Sequence, residues 1–279
     1  MLNEILDKSN IQPLKPLPTG LQPAGRIDGS LQCLLFDVYG TLLISGSGDV
    51  GTAMQATRND ERLKQLLLDF NINRPADKIL DDYFNAINKR HFNLKAVEID
   101  CPEVKIDHIW MKVLGWRNKD MVRSFAMAFE LISNPAYPMP GMRQLMEKVR
   151  ERCLMGIISN AQFYTPMLLE RFFNASLDKI GFAQDLLIFS YQTGHAKPSA
   201  YLFELAQSRL KKRGLLPGKT LYVGNDMLND ILPAQQIGFK TALFAGDKRS
   251  LRLRQDDERC KGVIPDIIVT DLLQIVDYL

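Results

Sequence analysis

The sequence predicts an α/β fold: a doubly wound, Rossmann-like parallel sheet carrying an inserted α-helical cap. Three observations predict it. From residue 31 onward, apolar runs of strand length alternate with segments of helical period, the pattern of a parallel sheet with helices on its faces. The run Leu34 to Leu43 ends its strand on Asp37 and breaks into a Gly-containing turn, and ligands of open α/β sheets bind outside the carboxyl ends of the strands. The interval from Asp37 to the next strand candidate at Leu154 far exceeds the roughly 30 residues of an ordinary βαβ unit, so a further unit is inserted there.

In chain order, residues 1–30 hold Pro13, Pro16, Pro18 and Pro23 with Gly20, Gly25 and Gly29, the composition of an extended tail, packed on the body or loose from it. The α/β core is expected over 31–45 and 137–279. Its strand candidates are Gln32 to Phe36, Leu154 to Ile158, Leu186 to Phe189, Leu221 to Val223, Thr241 to Phe244 and Ile267 to Val269. Residues 46–136 form the cap, with helices expected at 51–70, 76–95, 104–115 and 119–133; Ile79, Tyr83, Phe84 and Ile87 sit at helical spacing. The stretches Ser45 to Asp49 and Pro135 to Gly141 are candidate hinges for a lid. Beyond them, Met142, Leu145, Met146 and Val149 recur at i, i+3, i+4 and i+7, one apolar helix face. Thr165-Pro166 reads as a helix N-cap followed by proline, and Gly194 to Pro198 as a turn opening a helix over Ser199 to Leu210.

Composition excludes several classes of function. With 24% charged residues and a formal net charge of +3, the 279-residue chain has no electrostatic case for nucleic acid or a membrane surface. No apolar stretch reaches the roughly 18 residues that span a bilayer, and the N-terminus lacks the order of a signal peptide, so a cytoplasmic location is expected. Cys33, Cys101, Cys153 and Cys260 form no CxxC pair, which points away from zinc and redox chemistry. With only His91, His108 and His195 available, carboxylates, hydroxyls and lysines must carry any catalysis.

Polar groups follow the strands. Ser159-Asn160 ends the strand from Leu154, Lys197 lies in the turn before Ser199, and Gly224-Asn225-Asp226-Met227-Leu228-Asn229-Asp230 follows the strand ending at Val223. Each has a plainer reading: Ser159 as a loop cap, Lys197 as a solvated charge, Asp230 as a helix-terminus charge. Together and in order, they closely resemble the haloacid dehalogenase-like hydrolase superfamily, in its helical-cap subgroup. Asp37-x-x-Gly40-Thr41-Leu42 supplies the first motif, Ser159 the second, Lys197 the third, and Gly224-Asn225-Asp226-x-x-x-Asp230 the fourth, with the match covering residues 31–279.

The resemblance implies an aspartate nucleophile working through a covalent intermediate on a small-molecule substrate. In that reading Asp37 attacks phosphorus or carbon, so one hard step becomes two easier ones. Lys197 holds Asp37 ionised, and Asp230 orients Lys197 or a metal-bound water. Ser159, Asn160, Thr41, Gly40 and Lys197 cradle an anion. Asp37, the backbone carbonyl of Tyr39, and Asp226 or Asn225 are the expected ligands of one Mg²⁺. The departure is Tyr39, which stands where family phosphatases carry a second Asp. Tyrosine, with an ordinary pKa of about 10, is a poor general base near neutrality. The spelling Asp-x-Tyr-Gly-Thr-Leu is similar to the 2-haloacid dehalogenases, which work without metal. The reading placed first is a Mg²⁺-dependent phosphatase on a small phosphorylated metabolite, favoured by Asp226; second comes a metal-independent dehalogenase, favoured by Tyr39; and third a catalytically weak ligand-binding protein. Among cap residues, Arg58, Arg62, His91 and Arg123 present no motif that singles one out for specificity.

Overall fold

The computed structural model describes residues 2, 5, 6, 12–47 and 60–279. Residues 51–59 of the first expected cap helix, with Gly48, Asp49 and Arg58, lie outside the described residues. The strands are β1 (Ala24–Gly25), β2 (Cys33–Phe36), β3 (Leu43–Ser45), β4 (Ala136–Pro138), β5 (Leu154–Ser159), β6 (Phe182–Phe189), β7 (Thr220–Gly224), β8 (Lys240–Phe244) and β9 (Ile267–Val269). Seven of them form one sheet in the order β1-β9-β8-β7-β2-β5-β6, parallel except for the antiparallel β1–β9 pair.

Strand β2 is central because it is apolar on both faces. Leu34 and Phe36 point into one hydrophobic cluster and Cys33 and Leu35 into another, the period-two alternation of a strand covered on both sides. The chain leaves β2 toward β5 and β6 on one side and later returns to β7 on the other, so the strand order reverses at β2. Phe36 is level with Ile157 of β5 and Val223 of β7, which sets Asp37 at the switch-point crevice between three strand ends.

The inserted helices are α1 (Glu61–Asp69), α2 (Ala76–Lys95), α3 (Ile106–Leu114) and α4 (Lys119–Ser133). They gather around fully buried Trp110, whose ring stacks on Tyr83 at 4.2 Å and meets Phe125 and Phe129 edge-on at 4.8 and 4.9 Å. Such aromatic pairs add about 0.5–1.5 kcal/mol each beyond the area they bury. The expected hinges are paired where described. Strands β3 and β4 form an antiparallel ribbon, and Asn134 Oδ1 accepts from the hydroxyls of Ser45 at 2.7 Å and Ser47 at 2.8 Å.

On the core side, α5 (Met142–Val149) buries the four residues of its apolar face. Helix α6 (Tyr164–Phe173) starts two residues earlier than expected, with Phe163 as N-cap, so Thr165 lies inside the first turn and its hydroxyl is available to another partner. Short helices α7 (Leu177–Ile180) and α8 (Ser190–Thr193) flank β6. Helix α9 is Tyr201–Lys212, two residues later than expected, and α10 is Leu232–Gln236. Strand β6 begins four residues before its expected start. The exposed pair Gln184 and Asp185 interrupts its apolar pattern, and the pairing to β5 shifts register there, from Met155 opposite Phe182 to Ile157 opposite Leu187.

The N-terminal segment is packed on the body where it is described. Leu17 N–H donates to Asp247 Oδ1 at 3.0 Å, Thr19 Oγ1 donates to the Ala245 carbonyl at 2.8 Å, and β1 lies along β9.

Candidate active site

Four strands deliver the site. Asp37 follows β2, and its N–H donates to the Val223 carbonyl at 2.9 Å, which fixes the nucleophile candidate at the sheet edge. Gly40, at φ +85°, makes the following turn; a Cβ there would sit 2.5 Å from Ser250 Cβ and 2.7 Å from Asn225 Nδ2, so no larger residue fits.

Lys197 is the hub. Its ammonium is buried and lies 2.8 Å from Asp37 Oδ1, 2.6 Å from Asp230 Oδ1 and 3.1 Å from the Tyr222 hydroxyl. Burial alone would lower its pKa, but Asp230 and Asp37 outweigh that and hold it above the ordinary lysine value. Asp230 is satisfied on both oxygens: Oδ1 faces Lys197 and Tyr222, and Oδ2 accepts from the backbone N–H groups of Asn225 and Asp226 at 3.0 and 2.9 Å. Burial pushes its carboxyl up to about 6 against the pull of Lys197, so it is ionised at neutral pH. This carboxylate requires Gly224, where a Cβ would lie 2.4 Å from Asp230 Cγ.

The anion-cradle candidates divide. Asn160 holds the Lys197 loop from both sides: its Oδ1 accepts from Lys197 N–H at 2.7 Å and its Nδ2 donates to the Lys197 carbonyl at 3.1 Å. Thr41 Oγ1 donates to Asn225 Oδ1 at 3.1 Å, so its hydroxyl positions Asn225 rather than facing a ligand. Ser159 is fully buried, and its hydroxyl donates to the Asn160 carbonyl at 3.4 Å. The Tyr39 hydroxyl pairs with Thr165 Oγ1 at 3.0 Å, while burial, followed by Glu130, drives its pKa far above the ordinary phenol value.

Asp226 is committed elsewhere. It is N-cap of the π-helical turn Met227–Ile231, with Oδ1 accepting from the N–H groups of Leu228 and Asn229. Arg254 then forks onto it, Nε to Oδ1 at 3.0 Å and Nη2 to Oδ2 at 2.6 Å, and Asn229 Nδ2 adds a further donor to Oδ2. The side chain that reaches the Gly40 turn is Asn225, a neutral amide.

Above this floor lies a cavity of about 480 Å³, bounded below by Tyr39, Asn160 and Ala196 and above by cap residues including Tyr83, Phe84 and Phe129. Tyr39, Asn160 and Ala196 in its floor are close in sequence or by hydrogen bond to Asp37 and Lys197.

A family model of haloacid dehalogenase-like hydrolases matches residues 31–238. The chain belongs to that family. Over 111 residues it is 30% identical to the Rhythmically expressed gene 2 protein of Drosophila melanogaster, covering 38% of this chain and 40% of that protein. Over 113 residues it is 28% identical to the Ribulose-1,5-bisphosphate 5-phosphatase of Halopiger xanaduensis, covering 40% of this chain and 44% of that one. The chain therefore matches less than half the length of either relative. In fold it is similar to 2-haloacid dehalogenase from Pseudomonas syringae pv. Tomato, with TM-score 0.56 and 16% identity over 89% of this chain and 97% of the other. It is also similar to L-2-haloacid dehalogenase from Xanthobacter autotrophicus, with TM-score 0.52 and 16% identity over 88% and 97%.

Phosphatases of the haloacid dehalogenase-like family generally use Mg²⁺, and the donor set here does not fit that ion. A Mg²⁺ site needs carboxylate oxygens free to coordinate, yet both Asp226 oxygens are occupied by a guanidinium and by amide donors, and Asn225 carries no charge. The expected ligand Asp226 is thus turned to Arg254, a correction that rests on a 28-residue sequence separation.

Sequence reasoning brought forward Asp37, Lys197 and Asp230, which the structure gathers, but missed Tyr222, Arg254 and Thr165. Tyr222 reads as one more apolar residue in a strand, and nothing in its local pattern marks its hydroxyl. Because the Tyr39 hydroxyl touches only Thr165 and keeps its proton, Tyr39→Phe should leave kcat within about threefold of wild type and cost about 1 kcal/mol of stability or less. Steady-state kinetics and urea unfolding measure both; a hundredfold loss in kcat would make Tyr39 a participant in the chemistry.

Proposed function

We propose that the protein is a metal-independent hydrolase of the dehalogenase type, acting on a small organic substrate through a covalent ester on Asp37. The observation that carries the reading is the fork of Arg254 on Asp226, which removes the carboxylate that a metal-dependent phosphoryl transfer would require. Tyr39 supports it, since displacement of halide from carbon needs no acid to protonate the leaving group. In the first step an Asp37 oxygen bonds to the substrate carbon as the carbon–halogen bond breaks and halide leaves with the electron pair. In the second, water adds to the ester carbonyl at Asp37 Cγ and the alcohol departs, so that one water is consumed per turnover. Lys197 orients Asp37 through its 2.8 Å contact and offsets the negative charge of the tetrahedral intermediate, and Asp230 with Tyr222 keeps that ammonium in place.

The second reading, a Mg²⁺-dependent phosphatase, is favoured by the similarity to a ribulose bisphosphate phosphatase and requires Arg254 to release Asp226. One experiment separates the two. Halide release from L-2-chloropropionate and phosphate release from p-nitrophenyl phosphate are measured with Mg²⁺ and with a chelator. The dehalogenase reading expects halide release that a chelator changes by less than about twofold. Phosphate release that depends on Mg²⁺, without halide release, would establish the second reading.

A further inference from the structure

The cavity beneath the cap holds a pair of acids that neither reading explains. Its lining includes two carboxylates, Glu103 and Glu130, and among the described residues no lysine or arginine. Among the described residues, neither acid has a cation as a hydrogen-bond partner. Glu103 Oε1 accepts from the Val104 N–H at 2.8 Å and Gln162 Nε2 at 3.2 Å, while its Oε2 accepts from Ser190 Oγ at 2.6 Å. Glu130 accepts from the Tyr164 hydroxyl at 2.8 Å and Asn134 Nδ2 at 3.2 Å. Burial raises the pKa of both, because no cation offsets the cost of holding their charge in the cavity wall. Lys197, next to Ala196 of the floor, already faces Asp37 and Asp230. His91 also lines the cavity; burial, then Lys95, lowers its pKa, so it is neutral there, and its buried Nε2 has no partner.

The remaining walls are aromatic. Tyr83 packs against Phe84 at 5.0 Å and Phe129 at 5.5 Å, and Tyr39 and Tyr164 complete the surface between the two acids. Aromatic faces attract cations as well as apolar groups, and an unpaired buried carboxylate is stabilised by a cation that arrives with its ligand. An anionic substituent remote from the reacting carbon would meet two acid groups, and no compensating cation among the described residues, in a partly desolvated space.

We propose that this chamber selects substrates whose non-reacting part is an apolar or aromatic group bearing a protonated amine, with Glu130 and Glu103 as the specificity-determining residues. The proposal rests on the reading of Asp37 as nucleophile only for the statement that the chamber holds substrate; the binding preference itself does not depend on which bond Asp37 breaks.

The test is therefore made on binding, with the full-length wild-type protein and three probes of one shape: phenethylamine, phenethyl alcohol and 3-phenylpropionate. Calorimetric titration at pH 8 keeps the probes' charges distinct. The amine is expected to bind about tenfold or more tightly than the alcohol, and the carboxylate more weakly than either. Glu130→Gln should remove most of the preference for the amine and Glu103→Gln part of it, with circular dichroism checking that each variant is folded. An amine that binds no better than the alcohol overturns the proposal without any variant. So does an amine preference that survives unchanged in both folded variants. Loss of turnover on every substrate, with the amine preference intact, would overturn the Asp37 chemistry and leave the chamber's selectivity standing.

Discussion

Lys197→Met is expected to cost about 3–5 kcal/mol of stability and to abolish turnover, because it leaves Asp37 and Asp230 facing one another with no cation between them. The Lys197 and Asp230 side chains are only 3% and 1% exposed, so solvent screens little of that repulsion. Much of the loss should be recoverable. In Lys197→Met/Asp230→Asn the second carboxylate is gone; the single amide oxygen can accept from the loop N–H groups while Nδ2 donates to the Tyr222 hydroxyl, whose proton goes to the Ile158 carbonyl, so the double variant should be more stable than the single one despite carrying one more change. Urea unfolding of the two variants measures the coupling. A Lys197→Met protein within about 1 kcal/mol of wild type would mean that one of the acids already holds a proton in the native state.

Asp37→Asn is expected to reduce turnover at least about a thousandfold while leaving the fold intact, since the amide keeps an oxygen facing Lys197 and cannot attack. The chemistry can be read separately from the rate. In a single turnover of wild-type enzyme in ¹⁸O-labelled water, the covalent route places label in the Asp37 carboxylate, because water adds at Cγ and the product leaves with an original Asp37 oxygen. Mass spectrometry of the peptide containing Asp37 detects it. Label found directly in the product during that first turnover would show that water, not Asp37, attacks the substrate.

Much of the fold was legible in the sequence because its signals are local. The run around Asp37, the alternation of Leu34 and Phe36 with Cys33 and Leu35, and the periodicity from Met142 to Val149 each follow from burial on one or two faces. Helices α2 and α4 fall at their expected bounds for the same reason. Strands β1, β3 and β4, two or three residues each, carry no such pattern and exist through pairing with segments remote in sequence. At the site, the order of Asp37, Lys197 and Asp230 was readable, but which side of the fourth loop faces the nucleophile was not. Asn225 and Asp226 are neighbours on opposite sides of that loop, and the choice between them is fixed by Thr41, Ser250 and Arg254, none of them local. Tyr222 was hidden because a strand tyrosine with a buried ring differs from an apolar residue only by its hydroxyl.

The short β1 segment touches nothing in the site, yet it lies along the outermost parallel strand, where Ala24 and Gly25 pair with Ile268 and Ile267. A bare end strand offers its row of unpaired amides to any other chain, and β9 is apolar. Gly25, at φ +83°, has no room for a side chain, since a Cβ would lie 2.1 Å from the Asp266 carbonyl oxygen. The β1 segment covers a strand edge that would otherwise present its amides to another chain, so a chain trimmed of it is expected to associate edge to edge more readily.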